Sequence, residues 1–243
     1  MLGRVVRSVD APDAWFLKGG LTASGLSDAL VGRTVVAARR IGKLLLLDTD
    51  DGPTVGLRFG MTGRLLVDGV AGIDQLEYSS LRDEPAWDRV TFRFDDGDLR
   101  IRDPRRLGGV VLEPPEDALG HDLLRVTAAE LRAVLAGSTA PIKARLLDQT
   151  RVAGVGNLIA DEVLWRAGID PARTAGSLDR NELRRLHRHL RGAVDEMTER
   201  GGSHTGDLFS SRAAGGRCPR DGTPLVRRTI GGRTTWSCPR HQR

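Results

Sequence analysis

Long apolar runs are missing from this sequence. No stretch approaches the length a bilayer-crossing helix needs, and no signal-peptide pattern opens it. A cytosolic protein is therefore expected. Cysteine is scarce, with Cys218 and Cys238 alone in 243 residues, and a cytosolic setting disfavours a disulfide between them. Lysine is almost absent: the basic residues are arginine except at Lys18, Lys43 and Lys143. A GC-rich genome explains an arginine bias of this kind. The lysines that remain are of interest, because arginine cannot supply a deprotonatable amine or a compact point charge. Apolar content is slightly low for a globular chain, at 40%.

Positive charge is present instead. The formal net charge is +5 and the isoelectric point about 10, which favours a polyanionic partner without specifying a fold. The length accommodates one large domain, or two moderate ones with a small appendage.

Residues 4–9 read as a β-like stretch, followed by a less regular segment to about Ser27. Residues 34–38, 43–48, 55–59, 64–67, 90–94, 99–102 and 110–112 read as short strands, with turns at residues 50–52 and 95–97. This spacing suggests an antiparallel β-sandwich or barrel over the first half. Residues 113–116 look like a linker. Thr127 to Glu130 forms a capping box opening a helix to Leu135. Residues 142–149 read as a second helix. Ser177 is expected to cap a longer one, with Leu183, Leu186, Leu190, Val194 and Met197 as its apolar stripe. Arg180, Arg184, Arg188 and Arg191 occupy another face; such a row is more often solvated than bound to DNA. Gly201 and Gly202 end the helix. Residues 203–216 read as a flexible loop, and Gly231-Gly232 as the turn of a terminal hairpin.

Between the second and third helices lies Gly154-Val155-Gly156-Asn157. Two glycines allow positive φ and close approach of backbone to a ligand. Asn157 is expected to cap the next helix, whose free N–H groups make a ready phosphate site. An ordinary tight turn between packed helices is the plainer alternative. On the β side, Gly60-Met61-Thr62-Gly63 exposes a methionine on a loop. Such a side chain could wedge into a base stack and hold the gap left by a flipped nucleotide; a core methionine is the alternative. Lys43, at a strand start, could grip a phosphate or simply be solvated.

Taken in order, Arg40-Ile41-Gly42-Lys43, Gly60 to Gly63, Asp103-Pro104-Arg105-Arg106, Ile142-Lys143, Gly154 to Asn157, Gly201-Gly202 and a hairpin with a cysteine on each arm resemble the formamidopyrimidine-DNA glycosylase and endonuclease VIII family. Each motif alone is weak; the order gives them weight. The resemblance implies an α+β fold: a β-sandwich over residues 1–114, a helix–two-turn–helix domain over 115–202, and a loop with a zinc-ribbon-like hairpin over 203–243. It implies a cytoplasmic, nucleoid-associated bacterial monomer that binds damaged duplex DNA in the cleft between the first two domains. The activity implied is base-excision repair, with removal of oxidised bases and strand cleavage at the abasic site.

The resemblance also assigns residues. Lys43 would grip a phosphate near the active site. Met61, Arg105 and Leu107 would fill the gap in the duplex, with Leu107 standing where the family usually has phenylalanine. Lys143 and Asn157 would contact backbone phosphates, and Arg233 would enter the DNA from the hairpin. The family's ribbon has two Cys-x-x-Cys pairs; here Cys218, Asp221, Cys238 and His241 occupy the four positions. Both substituted types bind zinc, so one structural zinc per chain is expected. The family's nucleophile is the amine of an N-terminal proline followed by glutamate, whereas this sequence opens Met1-Leu2-Gly3-Arg4. The expectation is that the helix carrying the nucleophile precedes Met1. Two other readings stay open: a damaged-DNA-binding protein without chemistry, and an RNA- or ribosome-binding module.

Overall fold

A computed structural model describes residues 1–72, 80 and 82–243. Contacts divide the chain into two compact units, Met1–Glu116 and Asp117–Arg243. The fold class is α+β.

The first unit holds β1 (Ser8–Asp10), α1 (Ala23–Leu30), β2 (Val35–Ile41), β3 (Leu44–Thr49), β4 (Val55–Arg58), β5 (Arg64–Val67), β6 (Val70–Ala71), β7 (Asp88–Phe94), β8 (Gly97–Arg102) and β9 (Gly109–Leu112). They form two antiparallel sheets, ordered β1-β7-β8-β5-β6 and β2-β3-β4-β9. Side chains of both sheets share one core. Val90, Phe92, Leu99 and Ile101 come from the first sheet, and Leu47, Leu57 and Val110 from the second. β7 shows the cause: Phe92 and Phe94 face inward while Arg93 between them is exposed. The segment expected to be irregular up to Ser27 contains α1. Thr22 caps it by accepting the Gly25 N–H, and Leu26 and Leu30, one turn apart, bury its inner face.

The second unit runs β10 (His121–Asp122), α2 (Ala128–Leu135), α3 (Ile142–Leu147), β11 (Val152–Ala153), α4 (Asn157–Ala167), α5 (Arg180–Glu199), β12 (Val226–Ile230) and β13 (Arg233–Ser237). β10 and β11 pair in parallel, β12 and β13 as the hairpin. α4 is the central helix: seven of its eleven residues are buried, including Asp161 and Glu162. The capping box on α2 forms as expected. α5 is capped by Asp179 rather than Ser177, because Asp179 accepts the Asn181 and Glu182 N–H groups while Glu182 bonds back. Its stripe of Leu186, Leu190, Val194 and Met197 is buried, with Leu183 at the margin.

Residues 203–216 are not a loose loop. They contain two short 3-10 turns, Leu208 is fully buried, and Arg212 bonds the buried carboxylate of Asp161. A long-range ion pair orders a segment whose local composition is that of a loop. No helix among the described residues is long and apolar enough to cross a membrane.

Candidate functional site

Asp103 organises the site on the β unit. Its buried carboxylate accepts the Thr62 hydroxyl, the Gly108 N–H at 2.8 Å and the Arg105 N–H at 3.2 Å. One side chain thus ties the loop carrying Met61 to the loop carrying Arg105 and Leu107. Gly60 permits the approach: its φ is +59°, and a Cβ there would lie 2.6 Å from that of Leu107. The result is two apolar side chains held outward on adjoining loops, Met61 at 53% and Leu107 at 46% exposure. The core-methionine alternative does not hold. A groove of about 760 Å³ opens beside them, lined also by Lys43, Arg40, Arg58 and Leu65. Lys43, Met61 and Leu107 are therefore brought together. Arg105 is exposed on the same loop as Leu107. Arg106, its neighbour, is used structurally, bonding Asp13 at 2.6 and 2.7 Å.

On the helical unit the glycine turn is held by Gln149. Its amide donates to the carbonyls of Leu147 and Val155 at 2.8 and 3.0 Å, and its oxygen accepts the Gly154 N–H at 3.0 Å. Only Gly154 has a positive φ, +110°. Gly156 is extended at −104° and is itself the cap of α4, without a side-chain hydrogen bond; Asn157 is the first helical residue, not the cap. The start of α4 accordingly carries amide groups that no side chain caps, which suits an anion.

The expected phosphate contact from Lys143 is corrected by the structure. Lys143 is fully buried, with its ammonium 2.6 Å from Asp161 Oδ1. It also donates to Thr235 Oγ1 at 2.7 Å and to the Thr234 carbonyl at 3.2 Å. Burial pushes the ammonium below its ordinary pKa, against the opposing pull of Asp161. Asn157 is half-buried and donates to the same Thr234 carbonyl at 3.0 Å. Arg233, next along the hairpin, is exposed. The hairpin turn is the one expected, with Gly231 and Gly232 at φ +58° and +71°, and it sits against α3: a Cβ on Gly231 would lie 3.0 Å from that of Ala144.

The four hairpin positions converge. One ligand atom from each of Cys218, Asp221, Cys238 and His241 lies within 4.8 Å of the others. Cys218 Sγ is 3.6 Å from His241 Nδ1, and Asp221 Oδ2 is 3.5 Å from both Cys238 Sγ and His241 Nδ1. Tetrahedral zinc with bonds of 2.0–2.3 Å spaces its ligands by roughly 3.3–3.8 Å, so these three separations fit, and the full set, within 4.8 Å, would close by about 1 Å around an ion. The surroundings fit as well. His241 Nε2 lies 3.1 Å from the Trp165 carbonyl, which holds that proton and leaves Nδ1 free as a donor atom. Backbone and side-chain hydrogen bonds from Thr223 hold the Asp221 carboxyl far below the usual carboxylate range. The Trp165 indole N–H points to Cys218 Sγ at 3.3 Å, and Gln242 accepts the Cys238 N–H at 2.7 Å. Sequence reasoning missed Asp161, Arg212, Trp165 and Gln242. For Asp161 a signal was there: two adjacent acidic residues in the middle of a mostly apolar helix.

A central helix entered through a glycine turn, a hairpin docked beside it and a cluster of four candidate metal ligands at the hairpin base make a helix–turn–helix unit with a candidate metal site. Comparison with known proteins agrees. Residues 119–208 match the formamidopyrimidine-DNA glycosylase H2TH domain, and residues 1–110 match the formamidopyrimidine-DNA glycosylase N-terminal domain. The chain belongs to the formamidopyrimidine-DNA glycosylase family. It is 36% identical to the formamidopyrimidine-DNA glycosylase of Paracoccus denitrificans, over 98% of this chain and 92% of that one. It is 32% identical to that of Arabidopsis thaliana, over 100% of this chain and 66% of the relative. Among solved structures it resembles Lactococcus lactis Fpg in complex with DNA containing Fapy-dG, with a TM-score of 0.81, 26% identity, and coverage of 100% and 94% of the two chains. The same enzyme with abasic-site DNA gives a TM-score of 0.80.

Proposed function

We propose that this protein is a base-excision repair DNA glycosylase and abasic-site lyase acting on oxidised bases in duplex DNA, in the bacterial cytoplasm. The observation that carries the reading is the paired display of Met61 and Leu107 above a groove that also holds Lys43. Exposed apolar side chains cost free energy in water and are useful where a base stack must be opened. Lys43 would hold a phosphate beside the lesion, and Arg105, Met61 and Leu107 would occupy the space the flipped nucleotide vacates. Asn157, the uncapped start of α4 and Arg233 would grip the backbone. The two sheets are read as a sandwich domain over residues 1–114, with the helix–two-turn–helix domain over 115–202 and the zinc hairpin over 203–243. Zinc at Cys218, Asp221, Cys238 and His241 would be structural: it would hold the hairpin base and take no part in bond cleavage.

Binding of an abasic-analogue duplex against structured RNA tests the partner. A preference for the duplex is expected, and Asn157→Ala should weaken it. Each phosphate contact removed should reduce the slope of log affinity against log salt by about 0.9. Equal affinity for RNA, or a slope unchanged in both Asn157→Ala and Arg233→Ala, rejects the reading. Strand cleavage through an imine needs an amine nucleophile. Borohydride trapping on the abasic duplex reports whether any amine of these 243 residues reaches the sugar.

A further inference from the structure

A buried charged cluster joins α3, α4, the 203–216 segment and the hairpin, and no step proposed above uses it. Asp161, on α4, is fully buried at its centre. Lys143 from α3 lies 2.6 Å from one carboxylate oxygen. Arg212 reaches the other with two nitrogens at 2.8 and 3.1 Å, and the Trp236 N–H of β13 donates to the same atom at 3.3 Å. From Lys143 the network continues to the Thr235 hydroxyl and the Thr234 carbonyl. Asn157, one turn before Asp161 on α4, donates to that same carbonyl. The Thr234 carbonyl is thus shared by a buried lysine and by the asparagine at the glycine turn. The residue before it in the chain is the exposed Arg233.

Filling this space requires no charge. Apolar side chains of similar volume often stabilise a core as well as a buried ion pair does. What the cluster supplies is direction, since each hydrogen bond fixes one element against another. We propose that Asp161 and Lys143 are positioning residues: they lock the hairpin turn to the glycine turn, so that Asn157 and Arg233 meet the DNA backbone as a single grip. The inference rests on the DNA-binding reading above. It assigns Lys143 an effect on DNA binding through the hairpin, without contact to a phosphate.

A double-mutant cycle on the 243-residue chain, purified in the presence of zinc, tests it. The probe is the abasic-analogue duplex. The background is Asp161→Asn with Lys143→Met, which removes one charge of each sign and leaves the Arg212 guanidinium, its side chain 10% exposed, against a neutral amide. Arg233→Ala should weaken binding about tenfold in the native background and less than about twofold in the altered one. The altered background alone should lose about tenfold in affinity and about one unit of salt slope, at unchanged zinc content. An Arg233→Ala effect of equal size in both backgrounds overturns the inference. No effect of Arg233→Ala in the native background refutes the DNA role of Arg233 itself, a separate failure. Thermal melts establish that the altered background folds. Should it fail to fold, Thr235→Val, which removes a single hydroxyl from the cluster, takes its place in the cycle. An undiminished Arg233→Ala effect there likewise overturns the proposal.

Discussion

Gln242 offers a test of the proposed zinc site that alters none of the four candidate ligands. It is buried, accepts the Cys238 N–H at 2.7 Å and donates to the Ile169 carbonyl at 3.0 Å. Gln242→Leu roughly preserves volume and removes both bonds. Two separable effects follow. Partners of this outer kind are typically worth 10–100-fold in metal affinity, so the zinc dissociation constant should rise by about that factor, or about 1.4–2.7 kcal/mol. Independently, one buried N–H and one buried carbonyl lose their partners, at about 1–3 kcal/mol each whatever the metal. Bound zinc stabilises the folded chain by RT ln(1 + [Zn]/Kd). Raising free zinc about 10–100-fold should therefore restore the first part of the lost Tm and leave the second. Competition against a chromogenic chelator gives the affinity, and melts across buffered zinc concentrations give the split. A native affinity in the variant, or a Tm deficit identical at every zinc level, refutes the supporting role of Gln242.

Met61→Ala removes an exposed side chain, so stability should change by less than about 0.5 kcal/mol. Preference for an abasic duplex over an intact one should fall, measured by paired binding titrations. Gly154→Ala places a Cβ at φ +110° and should cost about 1–2 kcal/mol in denaturant melts, whereas Gly156→Ala, at φ −104°, lacks that strain. Hydrogen bonds from Arg39, and next from Thr54, hold the Asp48 carboxyl below its ordinary value. A depressed carboxylate contributes stability above its unfolded pKa of about 3.9 and loses it as pH falls through the folded value. Asp48→Asn should therefore flatten the acid side of the Tm-against-pH curve, and an unchanged acid limb would count against the pairing.

Much of this fold can be read from local pattern. β7 alternates, α5 carries its apolar stripe at helical spacing, and the hairpin turn is two adjacent glycines. The four candidate metal ligands were legible only through the family resemblance, and the structure gathers one ligand atom from each within 4.8 Å. What was misread depends on partners far along the chain. Lys143 is a polar residue between apolar ones on a short helix, and only its packing against Asp161 makes it a buried cation. Residues 203–216 have loop composition, and their order comes from Arg212 reaching that same aspartate 51 positions away. α1 escaped notice because a glycine and two serines dilute its pattern, while Leu26 and Leu30 are enough to seat it. Caps were displaced by two residues or fewer, since Ser177 and Asp179 are equally plausible until a backbone N–H selects one.

Trp165 gives the hairpin an optical readout of its own. The indole is 5% exposed, its N–H lies on Cys218 Sγ, and its ring meets the His241 imidazole edge-on with centroids 6.0 Å apart. A cation bound to Cys218 and His241 would change the charge directly beside the indole, and indole emission responds to nearby charge. Filling the four-ligand cluster should thus change the light from a residue that is not itself a ligand. Trp15, Trp87 and Trp236 emit as well, so the Trp165 signal is taken as the difference from a Trp165→Phe variant. The protein's emission spectrum then serves as an internal gauge of how much of a preparation carries metal, readable during a DNA titration and without added dye.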